Sequence, residues 1–217
     1  MDDRTERWLQ NVQLLIGALR GGLALNQWRT GPPAKGVEKP SFDDSGWSVR
    51  SGAIHWSPSQ GGMALRRDIF VPEAIEGIDL RGSSIELRFF HTCGTSVFID
   101  GRRVYHHRFW ADTRHTAATL VEDAVPGKRH TLVFCSPGGE GLGVFCADLA
   151  IDRVNRAIFD LEAVQQQLRF ARVLLEENPH PELKQALAGA ALCLDPDALS
   201  RRRWPAILEQ LKRAEEE

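Results

Sequence analysis

The densest set of residues able to do chemistry is the segment YHHRFWADTRHT, residues 105–116. Trp110 offers an indole, Arg108 a guanidinium, Asp112 a carboxylate and His115 an imidazole. Sugar sites need flat rings to lie on C–H faces and charged or planar groups to take hydroxyls. These four residues supply both within one segment and are the candidate carbohydrate contacts. The same residue types also suit a surface loop satisfied by its own sheet. Trp56, on a short strand flanked by Ser, Pro and Gly, is a fifth candidate as a stacking platform. A buried tryptophan is the alternative there. His106, Asp112 and His115 are of metal-ligand type, but no helical or hairpin spacing fixes them, so no metal site is expected.

A second polar cluster, KPSFDDSGWSV at residues 39–49, places two carboxylates side by side. Hydrolysis of a glycosidic bond wants two carboxyl groups facing each other across about 5 to 9.5 Å, contributed from separate elements. Adjacent aspartates meet that poorly. Asp and Ser side chains in a loop do accept hydrogen bonds from nearby backbone N–H groups. Asp43, Asp44 and Ser45 are therefore expected to shape a turn, with Phe42 and Trp47 as its apolar anchors.

The elements that must position these residues follow from periodicity. Trp8, Val12, Leu15, Ile16 and Leu19 fall at helical spacing, and Gly21–Gly22 is expected to end that helix. Residues 29–46 read as a long loop. From about 47 to 152 the period is two. SSIELRF puts Ile85, Leu87 and Phe89 on one face and Glu86 and Arg88 on the other. Asp100-Gly101 is a hairpin turn. ALRRDIFVP, RHTLVFCSP and GLGVFCADLAID are further strands, and since Arg66 and Arg67 point to opposite faces of one strand, one of them is expected inward or at a rim. Short strands without intervening helices predict a mainly β chain built on an antiparallel β-sandwich. After residue 152 the 3.6 period returns, with Ile158, Leu161, Val164 and Leu168 as one stripe. Pro181 and Pro196 suit first turns, and Pro205 is expected to break or kink the last helix. The expected domains are an N-terminal helix (1–22), a sandwich (23–152) and a helical extension (153–217).

Composition narrows the classes. A net charge of -2 gives no basic field for nucleic acid or an anionic membrane surface. No run approaches the roughly 18 apolar residues of a membrane span. The opening MDDRTERWLQ has no apolar signal core, so a cytoplasmic location is expected. Cys93, Cys135, Cys146 and Cys193 form no CxxC pair and are expected as free thiols.

Three motifs carry a family resemblance: PSFDDSGWSV after Trp28, then ALRRDIFVP, then IELRFFHTCGTSVFIDGRRV. Their succession over residues 23–152 resembles the N-terminal sugar-binding sandwich of large glycoside hydrolases, a galactose-binding-like jelly roll. The helical tail is similar to the linker of family 38 α-mannosidases. The resemblance implies a non-catalytic domain that supports a sugar site, completed by a catalytic glycosidase domain in the same or another chain. It implies zinc only for that catalytic domain, whose His-x-His-x-Asp type motif does not occur here, and no cofactor for this chain. The acidic end EQLKRAEEE suits a chain cut at a domain boundary. The alternatives are a free-standing carbohydrate-binding module and an assembly module whose C-terminal helices pair in a homo-oligomer.

Overall fold

A computed structural model of the chain describes residues 3–108, 114–139, 142–177 and 180–216. The chain divides into two compact units. One comprises Leu23–Glu73 and Leu80–Asp152, the other Met1–Gly22, Ala74–Asp79 and Arg153–Glu217.

The first unit is an antiparallel β-sandwich. Its strands are β1 (Gln27–Gly31), β2 (Ser48–Ser51), β3 (Ile54–Trp56), β4 (Met63–Phe70), β7 (Ile85–His91), β8 (Thr95–Ile99), β9 (Arg102–His107), β10 (Arg114–Val121), β11 (Arg129–Ser136) and β12 (Gly143–Ile151). β5 (Ala74–Ile75) and β6 (Ile78–Asp79) form a small hairpin of the other unit. One sheet runs β2-β1-β4-β11-β8-β9 and the other β10-β7-β12-β3. β1 already includes Arg29, Thr30 and Gly31, so the expected loop from 29 starts later than its composition suggested. Pairing with β4 outweighs the glycine and proline content there.

Inward side chains of both sheets meet in an aromatic core. Phe145, wholly buried, lies 4.2 Å from Phe134 and 5.2 Å from Trp28, centroid to centroid. Trp28 Nε1–H donates to the Leu25 carbonyl at 3.0 Å, which satisfies its one polar atom. At the β8–β9 turn Asp100 and Gly101 both take positive φ (51° and 82°), as the hairpin signal required. The Asp100 carboxylate also accepts from Thr131 N–H (2.8 Å) and lies 2.7 Å from His130 Nδ1. It thereby ties the turn to β11.

The FDDSGW segment closes a smaller core on the outer face of the six-stranded sheet. Val37, Phe42 and Trp47 pack there against Ala64 and Val133. Asp43 Oδ1 accepts from Ser45 N–H at 3.0 Å, the turn expected for it. Asp44 does something further. It holds Arg29 at 2.6 Å and Arg66 at 3.0 Å. Arg66 points to this outer face and is nonetheless buried, 3% exposed, while Arg67 lies on the opposite face and donates to the Gln27 carbonyl at 2.9 Å. It also donates to the Val37 carbonyl and lies over the Phe42 ring.

The second unit is helical. α1 (Asp3–Leu23) and α2 (Asp152–Glu177) bury Trp8, Val12, Leu15 and Leu19 and Val154, Leu161 and Val164. Gly21 and Gly22 do not end α1. The helix runs through them, and Gly22 instead allows close approach, since a Cβ there would sit 2.7 Å from Ile75 Cγ2. α3 (Pro181–Cys193) and α4 (Pro196–Ser200) begin on their prolines, with Asp195 capping α4 through Asp197 N–H. Pro205 neither breaks nor kinks α5 (Trp204–Glu216). It is the second residue of that helix, where no intrahelical N–H bond is lost. The β5–β6 hairpin belongs to this unit although its sequence lies between two sandwich strands. Trp204 Nε1–H donates to the Glu76 carbonyl and Arg202 to the Glu76 carboxylate, both at 2.8 Å. Among the described residues no helix is long and apolar enough to cross a membrane.

Candidate functional site

The outward face of β7 departs from a purely polar one. Alternation buries Ile85, Leu87, Phe89 and His91 and turns Glu86, Arg88 and Phe90 outward. Register then builds two rows across the four-stranded sheet. Phe90 stands between His115 of β10 and Cys146 of β12. Arg88 stands between Ala117 of β10 and Asp148 of β12. Directly opposed residues are close enough to act together. The Phe90 and His115 rings lie 4.9 Å apart. Ala24 bridges to Asp148, which brings Asn26 to the rim. The result is an open cavity of about 690 Å³ lined by Asn26, Arg88, Phe90, His115, Cys146 and Asp148, among others.

The polar groups here are unspent. Among the described residues the side chains of Asn26, Asp148 and His115 have no hydrogen-bond partner. The nearest carboxylate to Arg88 is Glu86, at 4.0 Å. A smaller cavity of about 320 Å³, on β1, β2 and β4, shows the opposite. Its Asp44 is taken by two arginines, and its Asp68 by Arg129 and the Thr131 hydroxyl. Groups already paired have little to offer a ligand, so the larger cavity is the candidate site.

Burial pushes the Asp148 carboxyl above its ordinary value, with the Arg88 charge acting against the shift. Burial and then the charge of Asp148 push the Cys146 thiol up, which keeps it protonated and a poor nucleophile. The Asp148 shift has a consequence for stability. The folded carboxyl holds its proton more tightly than the unfolded one. Its contribution is therefore most favourable at low pH and is lost as pH rises from the ordinary carboxylate value through the raised one. Asp148→Asn should remove this effect. The wild-type urea midpoint, taken relative to that of the variant, should fall between about pH 4 and about pH 7. Equal pH dependence in both would refute it.

Of the candidates read from the sequence, His115 lies in this cavity. Arg108 does not join it there. It follows β9, at the edge of the six-stranded sheet, and its Nε–H donates to His106, whose Nδ1 lies 2.9 Å from Ser96 Oγ. Trp110 and Asp112 lie outside the described residues. Trp56 is not an exposed platform. It is 7% exposed, edge-on to Phe134, and its ring lies against Gly143, where any Cβ would collide with it. Among the described residues no group of three His, Cys, Asp or Glu is placed to hold a metal ion. Arg88, Phe90, Asp148 and Asn26 were missed. The available signal was the second phenylalanine of LRFF, which alternation places on the solvent side beside Arg88.

No protein-family model and no curated protein matches the chain. The solved structures that it is similar to, over part of its length, include three glycoside hydrolases. A glycosyl hydrolase family 2 member from Bacteroides cellulosilyticus is 15% identical over 56% of this chain, with a TM-score of 0.43. A β-glycosidase from Bacteroides vulgatus is 14% identical over 60%, with a TM-score of 0.45. A β-glucuronidase from Faecalibacterium prausnitzii is 19% identical over 52%, with a TM-score of 0.39. In each case the match covers 20% of the other chain. None of the three is named as an α-mannosidase.

Proposed function

We propose that the chain is a non-catalytic, carbohydrate-binding and structural domain of a glycoside hydrolase, and that it contacts sugar on the open face of the four-stranded sheet. The observation that carries this reading is the ring pair of half-buried Phe90 and exposed His115, beside Arg88 and the Asp148 and Asn26 side chains that have no hydrogen-bond partner among the described residues. A pyranose presents just such a contrast, an apolar C–H face and a polar edge. Among the described residues the cavity is lined by one carboxylate, Asp148, where glycosidic hydrolysis uses two. Turnover is therefore assigned to a partner domain. The helical tail favours an α-mannosidase as the parent enzyme, with zinc held by its catalytic domain, in the cytoplasm.

Titration with mannose and mannobiose, followed by backbone amide NMR, tests the site. Shifts are expected at residues 86–90, 115–117 and 146–148, with a constant near millimolar, about -4 kcal/mol, as an open subsite leaves many hydroxyls in water. Phe90→Ala should abolish them. Shifts confined to other loops reject the face as the site. The purified chain should not turn over an aryl α-mannoside. A second reading, self-association through the helical unit, is favoured by Phe159, Phe170 and Leu174, which stand exposed along α2. Mass that rises with concentration in solution would support it.

A further inference from the structure

We propose, resting on the carbohydrate reading of the open face, that this face selects its sugar by charge. A unit carrying a protonated amine is held with its ammonium at Asp148, a neutral unit binds more weakly, and a uronic acid is turned away.

The elements that line the cavity carry more negative than positive charge among their described side chains. β7 contributes the Arg88 guanidinium and the Glu86 carboxylate, 4.0 Å apart. β12 contributes Asp148, directly opposite Arg88, and the protonated thiol of Cys146. The described side chains of β10 on this face are His115, Ala117 and Thr119. The segment that carries Ala24 and Asn26 adds no charge. One guanidinium thus serves two carboxylates, and the described face keeps an excess negative charge when His115 is neutral. A ligand carboxylate would have to compete with Glu86 and Asp148 for the same Arg88, at the cost of like-charge repulsion. An ammonium meets the reverse situation. The Asp148 carboxylate has no hydrogen-bond partner among the described residues, and burial already disfavours its ionised form. A charged donor offsets that penalty, whereas a neutral hydroxyl does so only in part.

The geometry also says which part of the sugar reaches where. Phe90 and Arg88 are two residues apart on one strand, so ring and charge lie side by side on the same face. A sugar flat on the Phe90–His115 rings presents its edge to the Arg88–Asp148 row. An amine on that edge comes to the carboxylate without the ring leaving its platform.

The test uses the whole chain and three probes of matched length: a glucosamine trimer, its fully N-acetylated counterpart and a trimer of galacturonic acid. Amide NMR titrations are run near pH 7, at low salt and again at roughly 0.5 M. The glucosamine trimer is expected to shift residues 86–90 and 146–148 and to bind about threefold tighter than the neutral trimer, as partly exposed ion pairs allow. The galacturonate is expected to leave these residues unshifted. Added salt should erase the preference, and so should Asp148→Asn, an isosteric change at an exposed position. Galacturonate binding at the face as tightly as glucosamine overturns the inference. So does a preference that survives Asp148→Asn, or glucosamine shifts spread over acidic residues elsewhere. If the neutral trimer binds the face and the amine adds nothing, the charge selection fails while the carbohydrate reading stands. If no trimer shifts the face, both fail.

Discussion

Asp44→Ala should destabilise the sandwich by about 3 kcal/mol, the low end of the cost of stranding a buried charge. Arg66 is 3% exposed and sits on the outer face of the six-stranded sheet, beneath the loop that carries Asp44. Its guanidinium keeps the Val37 carbonyl and the Phe42 ring in the variant, but loses its counter-charge. Water cannot replace that partner without opening the small core of Val37, Phe42 and Trp47. Two controls separate this from a general loop effect. Asp43→Asn should be milder, since Asp43 spends its carboxylate on one exposed turn bond to Ser45. Arg29→Ala should also be mild, since Arg29 is half-exposed and Asp44 keeps Arg66. Urea denaturation of the three variants is the measurement. An Asp44 variant no less stable than the Asp43 variant would show that Arg66 finds another partner.

Trp204→Ala should cost the helical unit about 3 to 5 kcal/mol, the range for truncating a large core aromatic. The ring is 8% exposed, and its N–H holds the Glu76 carbonyl. The damage should be local. Helical circular dichroism should melt at lower denaturant, and amides of residues 75–79 should lose protection from exchange. Protection in β4, β7 and β11 should change far less. Equal loss in both units would mean that they unfold as one.

Where alternation or helical spacing ran long, the sequence was legible. The sandwich, its Asp100-Gly101 turn and the faces of α1 and α2 follow from period and turn chemistry alone. Three things were not legible, each for a physical reason. The clamp of Asp44 on Arg66 joins residues 22 apart on different elements, and no local pattern encodes such a partner. The open face is assembled by register, with Phe90, His115 and Cys146 drawn from three strands, so no single stretch announces it. Trp56, among polar neighbours, left both a stacking platform and a core residue open, and its burial is set by Gly143, which sits opposite it on the next strand.

The assignment of β5 and β6 to the helical unit fixes an order of events during synthesis. Residues 74–79 leave the ribosome long before Arg202 and Trp204, which hold their turn. α1 likewise waits for α2, its packing partner. The sandwich can close from residues 23–152, while the bonds that fasten α1 and the β5–β6 hairpin to the later helices span more than a hundred residues, as in the 128 between Glu76 and Trp204. Such distant closures are slow, because loop entropy is lost before any contact compensates for it. A nascent chain therefore carries a finished sandwich with an unfastened helix and an unfastened hairpin until the later helices emerge. That interval is when a chaperone or an early aggregate would meet this protein.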